Sequence, residues 1–289
     1  MNKDKAGGRV LVKAFAKINL SLDIVGKRED GYHLLEMVMQ NVELHDDIII
    51  EQIEEGIMLT CNKAYVPVDE RNIAYKAAKL LMDTKGIRKG VRIDITKRIP
   101  VAAGLAGGSA DAAAVLKGMN ELFDLKMSTE ELMEEGLKLG ADVPYCIVGG
   151  TCLCEGVGEV VTPLKPFRGH TILLVKPSFG VSTKEAYGLF ELDRINRHVE
   201  TGKLIKAMED DDLNGVNYYS RNLLENVVLP RYPILKSIKQ MLSRNGSIVT
   251  LMSGSGPTIY GIFRDVSAAD NAARALNRNN NEVILTRTI

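Results

Sequence analysis

Residues Lys97 to Gly118 read K-R-I-P-V-A-A-G-L-A-G-G-S-A-D-A-A-A-V-L-K-G. Pro100 to Ser109 is almost all small residues, with Gly104, Gly107 and Gly108 among them. Ala110 to Leu116 is an alanine-rich helix former. Just upstream, V-R-I-D-I-T alternates apolar and polar as a strand does. The order is therefore strand, glycine-rich loop, helix. The first amides of a helix have no internal partner and carry partial positive charge, so such a loop suits a phosphate group. It is not a P-loop, because no G-x-x-x-x-G-K-[ST] occurs, and it does not read as G-x-G-x-x-G. Close packing of helix on sheet would ask for the same small residues.

Upstream, Val10 to Val25 is strand material in which Lys17 and Asn19 share one face. A lysine there also serves as a solvated charge that discourages aggregation. The turn G-K-R-E-D-G leads to Tyr32 and His33, an aromatic and an imidazole suited to a heterocyclic base, or to ordinary packing at a strand edge. Val38 to Val42, Asp47 to Ile53 and Ile57 to Thr60 are expected as strands of a meander. A helix follows Asn72, a good N-cap residue, with Ile73, Ala77, Leu80 and Leu81 on one face. Lys97 reads as a surface charge.

Downstream, Ser128-x-x-Glu131 is a capping box for a helix to about Leu139. Asp142, in G-A-D-V-P, falls on a turn at a helix end, where an aspartate ordinarily satisfies its own backbone. C-L-C-E-G and E-V-V-T-P-L form a strand pair. P-L-K-P-F-R-G marks a candidate boundary, giving domains 1–165 and 166–289. Thr183 and Tyr187 share a face if their stretch is helical. Helices are expected over most of Ile195 to Arg244, with Ile234, Leu235, Ile238, Met241 and Leu242 as a periodic set. Gly254, Ser255 and Gly256 sit in a turn between two strands. A helix near Ala268 to Asn277 and a last strand, E-V-I-L-T-R, close the chain.

The 289 residues carry equal numbers of acidic and basic side chains, which argues against a nucleic-acid or membrane-surface footprint. No apolar run is long enough to span a bilayer. The N-terminal M-N-K-D-K-A-G-G lacks the apolar core of a signal peptide, so the cytoplasm is the expected compartment. Cys61, Cys146, Cys152 and Cys154 lack the companions of a zinc site, and the last two fit a strand as reduced thiols.

The pattern P-x-x-x-G-L-x-G-G-S-x-x-A-A resembles the phosphate motif of the GHMP kinases, the family of galactokinase and of homoserine, mevalonate and phosphomevalonate kinases. A-K-I-N-L, R-E-D-G-Y-H, G-A-D-V-P and G-S-G resemble further family stretches, in family order. The resemblance implies an α+β fold of two domains, one like domain 2 of ribosomal protein S5 and one ferredoxin-like. R-E-D-G-Y-H points to one branch, whose reaction is ATP-dependent phosphorylation of the 2-hydroxyl of 4-diphosphocytidyl-2-C-methyl-D-erythritol in non-mevalonate isoprenoid synthesis. By the same resemblance Lys17 and Asp142 are catalytic. Asn72, Lys97, Pro100, Ala102, Ala103, Gly104, Leu105, Ala106, Gly107, Gly108, Ser109 and Ala110 bind ATP. Asn19, Tyr32, His33, Thr183, Tyr187, Gly254, Ser255 and Gly256 serve the substrate. Mg²⁺ is expected with ATP, with Ser109 as its nearest protein ligand, and the partner is a small molecule rather than nucleic acid or membrane. Another GHMP kinase, a related decarboxylase and a non-catalytic binding relative stand as alternatives.

Overall fold

Alternation of apolar and polar residues writes a long strand near the N-terminus, and the chain forms it: β2 runs from Arg9 to Lys27. The computed structural model describes residues 2–3, 8–192, 195, 197–277 and 280–289. Most of the N-terminal run read for a signal peptide lies outside the described residues. The chain folds as two units. One holds Met1–Ala16, Leu44–Ile99 and Ala106–Gly149, the other Lys17–Glu43, Pro100–Leu105 and Gly150–Ile289.

In the first unit, β1 (Asn2–Lys3) pairs antiparallel with the start of β2. The strand β3 (His33–Ile53) is continuous where two strands were expected, and its part from Leu44 belongs here. It pairs antiparallel with β5 (Gly90–Thr96), in register from Asp47↔Thr96 to Ile53↔Gly90. β4 (Ile57–Cys61) lies parallel to β5 on its other side. The expected meander is thus wrong at β4. The helix α1 (Ile73–Lys85) connects β4 to β5, and this crossover makes the pair parallel. Asn72 caps α1 by accepting from the Ala74 amide, and Gly86 closes it in the left-handed region.

α2 (Gly107–Leu122) begins three residues earlier than its alanine run suggests. Ala110, Ala112, Ala113, Ala114, Val115, Leu116 and Met119 are all buried, so this helix runs through the core rather than along its edge. Its small side chains let α1 and β3 approach closely. A Cβ on Gly118 would stand 2.3 Å from Ile50 Cδ1. α3 (Thr129–Leu137) carries the expected capping box of Ser128 and Glu131, and α4 (Val143–Val148) follows.

In the second unit, β3 pairs with β6 (Thr151–Gly156), and β6 pairs with β7 (Val160–Pro163), all antiparallel. Cys152 and Cys154 are buried in β6. A separate four-stranded sheet has β8 (Thr171–Lys176) and β10 (Ile259–Phe263) at its centre, with β9 (Val249–Met252) and β11 (Glu282–Arg287) at its edges. All its pairs are antiparallel. Counted in chain order, its strands lie 4-1-3-2, the expected ferredoxin-like order, with α10 (Val266–Leu276) as the second crossover.

The first crossover is expanded into α5 (Thr183–Gly188), α6 (Thr201–Glu209), α7 (Leu213–Tyr219), α8 (Glu225–Arg231) and α9 (Pro233–Arg244). α9 buries Leu235, Ile238 and Leu242, whereas Ile234 is exposed. One residue is a hundred-degree step on a helix, enough to take Ile234 off the buried stripe.

Gly118 gives a packing prediction. Gly118→Ala gains about 1 kcal/mol of helix propensity and loses roughly 1–3 kcal/mol to overpacking against Ile50, so it should be destabilising in urea. Ile50→Val deletes the clashing methyl. Gly118→Ala should therefore be less harmful, or stabilising, in the Ile50→Val background; equal costs in both backgrounds would disprove the contact.

Candidate active site

The first unit builds its polar centre where β5 ends. Lys97 is buried, not a surface charge. Its ammonium donates to Asp46 Oδ2 at 2.5 Å and to Asp111 Oδ2 at 2.7 Å. Asp46 Oδ1 also accepts the Arg98 and Ile99 amides at 2.5 and 2.8 Å, fixing the backbone as it enters the loop. Two carboxylates and one ammonium out of water leave an excess of negative charge. Burial, with the Asp46 carboxylate, pushes Asp111 up to about 8 against the pull of Lys97. Burial alone would lower Lys97, but Asp111 and Asp46 outweigh it and hold its pKa up. Among the described residues Asp111 Oδ1 has no hydrogen-bond partner, and it is buried, a place for the proton that the excess charge calls for.

Over this cluster lies the start of α2. A Cβ on Gly107 would stand 3.0 Å from Lys97 Nζ and 2.9 Å from Ile99 Cγ2, so only glycine fits. Hydrogen bonds inside the helix begin with the Ala110 amide donating to Ala106 O at 2.9 Å. The amides of Gly107, Gly108 and Ser109 come before it, the first turn in which a helix leaves its donors unused. Ala106 has a φ of 55°, in the left-handed region, and such strain costs about 1–3 kcal/mol where a side chain is present. Ile73, at the start of α1, is 3.5 Å from the Cβ position of Gly108 and 3.8 Å from that of Gly140. The starts of α1 and α2 and the turn before α4 therefore converge within this unit. Asn72 spends its side chain on the Ala74 amide and on Pro67 O. Asp142 occupies the N-cap position of α4, yet its side chain makes no cap hydrogen bond. Its carboxylate is not used up by its own turn, contrary to the ordinary reading of such an aspartate.

In the second unit, Lys17 and Asn19 do lie on one face of β2. Lys17 Nζ donates to Asn19 Oδ1 at 2.6 Å, and both are buried. Lys17 is thus no solvated edge charge. The segment Pro100–Leu105 lies on the turn of Gly254, Ser255 and Gly256. Gly104, at φ 74°, comes so near Ser253 O that a Cβ would stand 2.1 Å away. Ser253 Oγ donates to Gly104 O at 2.9 Å, and the Lys17 amide to Leu105 O at 3.2 Å. A Cβ on Gly254 would stand 3.2 Å from Lys17 Nζ. Thr183 and Ser255 share a hydroxyl hydrogen bond of 2.9 Å. Of the expected aromatic pair, His33 joins Tyr187, with ring centroids 5.5 Å apart, while Tyr32 is exposed. Burial, helped by the Lys27 charge, holds the His33 imidazole below its usual pKa, so it is neutral near pH 7.

Several residues escaped the sequence. Phe190 stands edge-on to His33 at 6.1 Å. Asn222 donates to Met252 O and Gly254 O and so latches the glycine turn. Asp46 and Asp111 had no motif to announce them, although Asp111 is the one charge in an otherwise uncharged run from Ile99 to Leu116. Among the described residues no cluster of three or more His, Cys, Asp or Glu is arranged to hold a metal ion. No helix of the described residues is long and apolar enough to cross a membrane.

The chain belongs to the GHMP kinase family. The model of the GHMP kinases N terminal domain matches residues 72–150, and that of the GHMP kinases C terminal region matches residues 191–282. Within the family, it is 54% identical over 278 residues to a 4-diphosphocytidyl-2-C-methyl-D-erythritol kinase of Clostridium botulinum, covering 96% of this chain and 99% of the relative. It is 53% identical to the enzyme of that name from Clostridium perfringens, over 96% of this chain and 98% of the relative. A crystal structure of 4-(cytidine 5'-diphospho)-2C-methyl-D-erythritol kinase superposes with a TM-score of 0.84 at 30% identity, over 96% of this chain and 99% of that one. Homoserine kinase from Cytophaga hutchinsonii shares the fold, with a TM-score of 0.78 at 19% identity over 100% of this chain and 97% of that one.

The buried cluster predicts a pH dependence of stability. Asp111 titrates higher in the folded chain than in the unfolded one, so the folded state holds an extra proton between the two pKa values. Its stabilisation is complete below the unfolded value, near pH 4, and is lost as pH rises through about 8. Urea midpoints of the wild type should therefore fall from pH 5 to pH 8 more steeply than those of Asp111→Asn. Parallel profiles would remove Asp111 as the proton holder.

Proposed function

We propose that this chain transfers the γ-phosphoryl group of ATP to the 2-hydroxyl of 4-diphosphocytidyl-2-C-methyl-D-erythritol, giving the 2-phosphate and ADP. The observation that carries this is similarity to kinases of that name, 54% identical over 96% of the chain. The chemistry of the residues supports it. The hydroxyl oxygen attacks the γ-phosphorus, the bond from that phosphorus to the β,γ-bridging oxygen breaks, and the hydroxyl proton must be accepted. Asp142 accepts or orients that proton. Lys17 supplies positive charge to the transferring group. Amides of Gly107, Gly108 and Ser109 hold phosphate oxygens, whereas the expected Ala110 amide is spent on Ala106 O inside α2; Pro100 to Ala106 complete the loop. Lys97 supports the loop from beneath, and Asn72 sets the start of α1.

Ser109, in the first turn of α2 and partly exposed, fits the demand of Mg²⁺, which keeps most of its ligands as water and phosphate oxygen. The ion, when bound, neutralises charge on the phosphates. His33, Tyr187 and Phe190 offer neutral rings to a cytosine, with Tyr32 at the entrance to that strand, and Asn19, Thr183 and the Gly254–Gly256 turn hold polar parts of the substrate.

Release of ADP measured over a panel of acceptors tests the proposal. The cytidine diphosphate-linked polyol should be phosphorylated well, and free methylerythritol phosphate, homoserine and mevalonate poorly. Base stacking on a ring is worth about 1–3 kcal/mol. Tyr32→Ala and His33→Ala should therefore raise KM for the cytidylyl substrate about 5- to 150-fold and leave KM for ATP nearly unchanged. An equal rise in both would assign the two residues to folding.

A positioned general base is worth about a hundredfold to ten-thousandfold. Asp142→Asn should fold, bind both substrates, and lose kcat in that range. Lys17→Ala should fail at the same step, and the double variant should lose less than the two losses multiplied. Near-normal kcat in folded Asp142→Asn would leave the proton without an acceptor in this scheme.

A further inference from the structure

Lys117 carries a charge that the scheme above does not use. It lies on α2, ten residues beyond Gly107 and about 15 Å along the helix axis. Its ammonium donates to two backbone carbonyls, Ile147 O at 3.1 Å and Cys146 O at 3.3 Å. These belong to the last turn of α4, the end of a helix where carbonyls look outward for donors. Burial lowers the pKa of Lys117, so the charge is kept at this place against a cost. The negative end of the α4 dipole and the two carbonyl oxygens are what offset it.

The other end of α4 carries Asp142. The helix has six residues, so Asp142 is only about 7.5 Å along the axis from Ile147. On its α3 side, α4 packs apolar side chains closely: a Cβ on Gly136 would stand 2.8 Å from Val143 Cγ1 and 2.9 Å from Ile147 Cδ1. Apolar contact resists separation but not sliding or rotation, because it has no direction. The two hydrogen bonds from Lys117 have direction. They tie α4 to the helix that begins with the glycine loop.

We propose that Lys117 is a positioning residue for phosphoryl transfer: by gripping the C-terminal carbonyls of α4 it sets where that helix holds the Asp142 carboxylate. This rests on Asp142 acting at the hydroxyl proton, as proposed above. Lys117 touches neither substrate. Its loss lets the short helix shift, and a misplacement of about 1 Å at a reacting group costs up to a hundredfold.

The test is a double-variant cycle on the full chain. Lys117→Met should fold, keep KM for ATP and for the cytidylyl substrate, and lose kcat about 10- to 100-fold. Lys117→Gln, which retains a donor, should recover part of the loss. In the Asp142→Asn background, Lys117→Met should cost nothing further, because there is no carboxylate left to place. Unchanged kcat in Lys117→Met, with Asp142→Asn slow, overturns the proposal and leaves the assignment of Asp142 intact. The same loss in both backgrounds also overturns it, since Lys117 would then act on folding or on the loop. Normal kcat in Asp142→Asn overturns the assignment of Asp142 and the positioning role with it. Should Lys117→Met not fold, the same cycle with Lys117→Gln decides, by whether its loss vanishes in the Asp142→Asn background.

Discussion

An ammonium between two buried carboxyl groups, one of them holding a proton, ties the first unit together at the point where strand becomes loop. Asp46 comes from β3, Lys97 from the end of β5, and Asp111 from α2. Such a cluster adds little net stability, because desolvation offsets attraction. What it supplies is a single geometry. Any shift of α2 relative to β5 would pull the Asp111 carboxyl away from the Lys97 ammonium and leave buried polar atoms without their partner. The amides of Arg98 and Ile99, bound to the same Asp46 carboxylate, extend that constraint into the backbone that leads to the glycines.

Small residues are the second constraint, and they act differently at each place. Along α2, alanine lets a helix occupy the core without pushing β3 and α1 apart. At Gly107 no side chain fits above Lys97 and Ile99, and at Gly104 none fits against Ser253. At Ala102 and Ala106, with φ of 51° and 55°, the residue is small but not glycine, and the backbone is strained. In the second unit the hydrogen bonds of Ser253 and the Lys17 amide hold the strained segment in place.

The polar groups of the two units differ in charge. The first unit has the unused helix amides at the start of α2, whereas in the second the ring cluster of His33, Tyr187 and Phe190 is neutral near pH 7. Asn222 belongs to neither set, yet by holding Met252 O and Gly254 O it decides the shape of the turn beside Lys17.

Much of this was legible in the sequence. Local signals carried it: the alternation of V-R-I-D-I-T, the capping box at Ser128, the turn at Gly254–Gly256, and five family stretches in order. Each depends on residues within one turn or one strand of each other, so a linear pattern suffices. The sequence by itself therefore determined most of the elements, the α+β class and the family, but not the continuity of β3 or the helix α4, which it read as a turn. Tertiary structure alone decided three things. It inserted β5 between β3 and β4, because pairing depends on where a crossover helix returns the chain. It turned Lys97 from an apparent surface charge into a buried one, because its partners lie 51 and 14 residues away. And it left the Asp142 carboxylate out of its own cap while giving α4 a cation from α2. Charge satisfaction is a property of neighbours in space, and no local pattern encodes which distant carboxylate or carbonyl a lysine will meet.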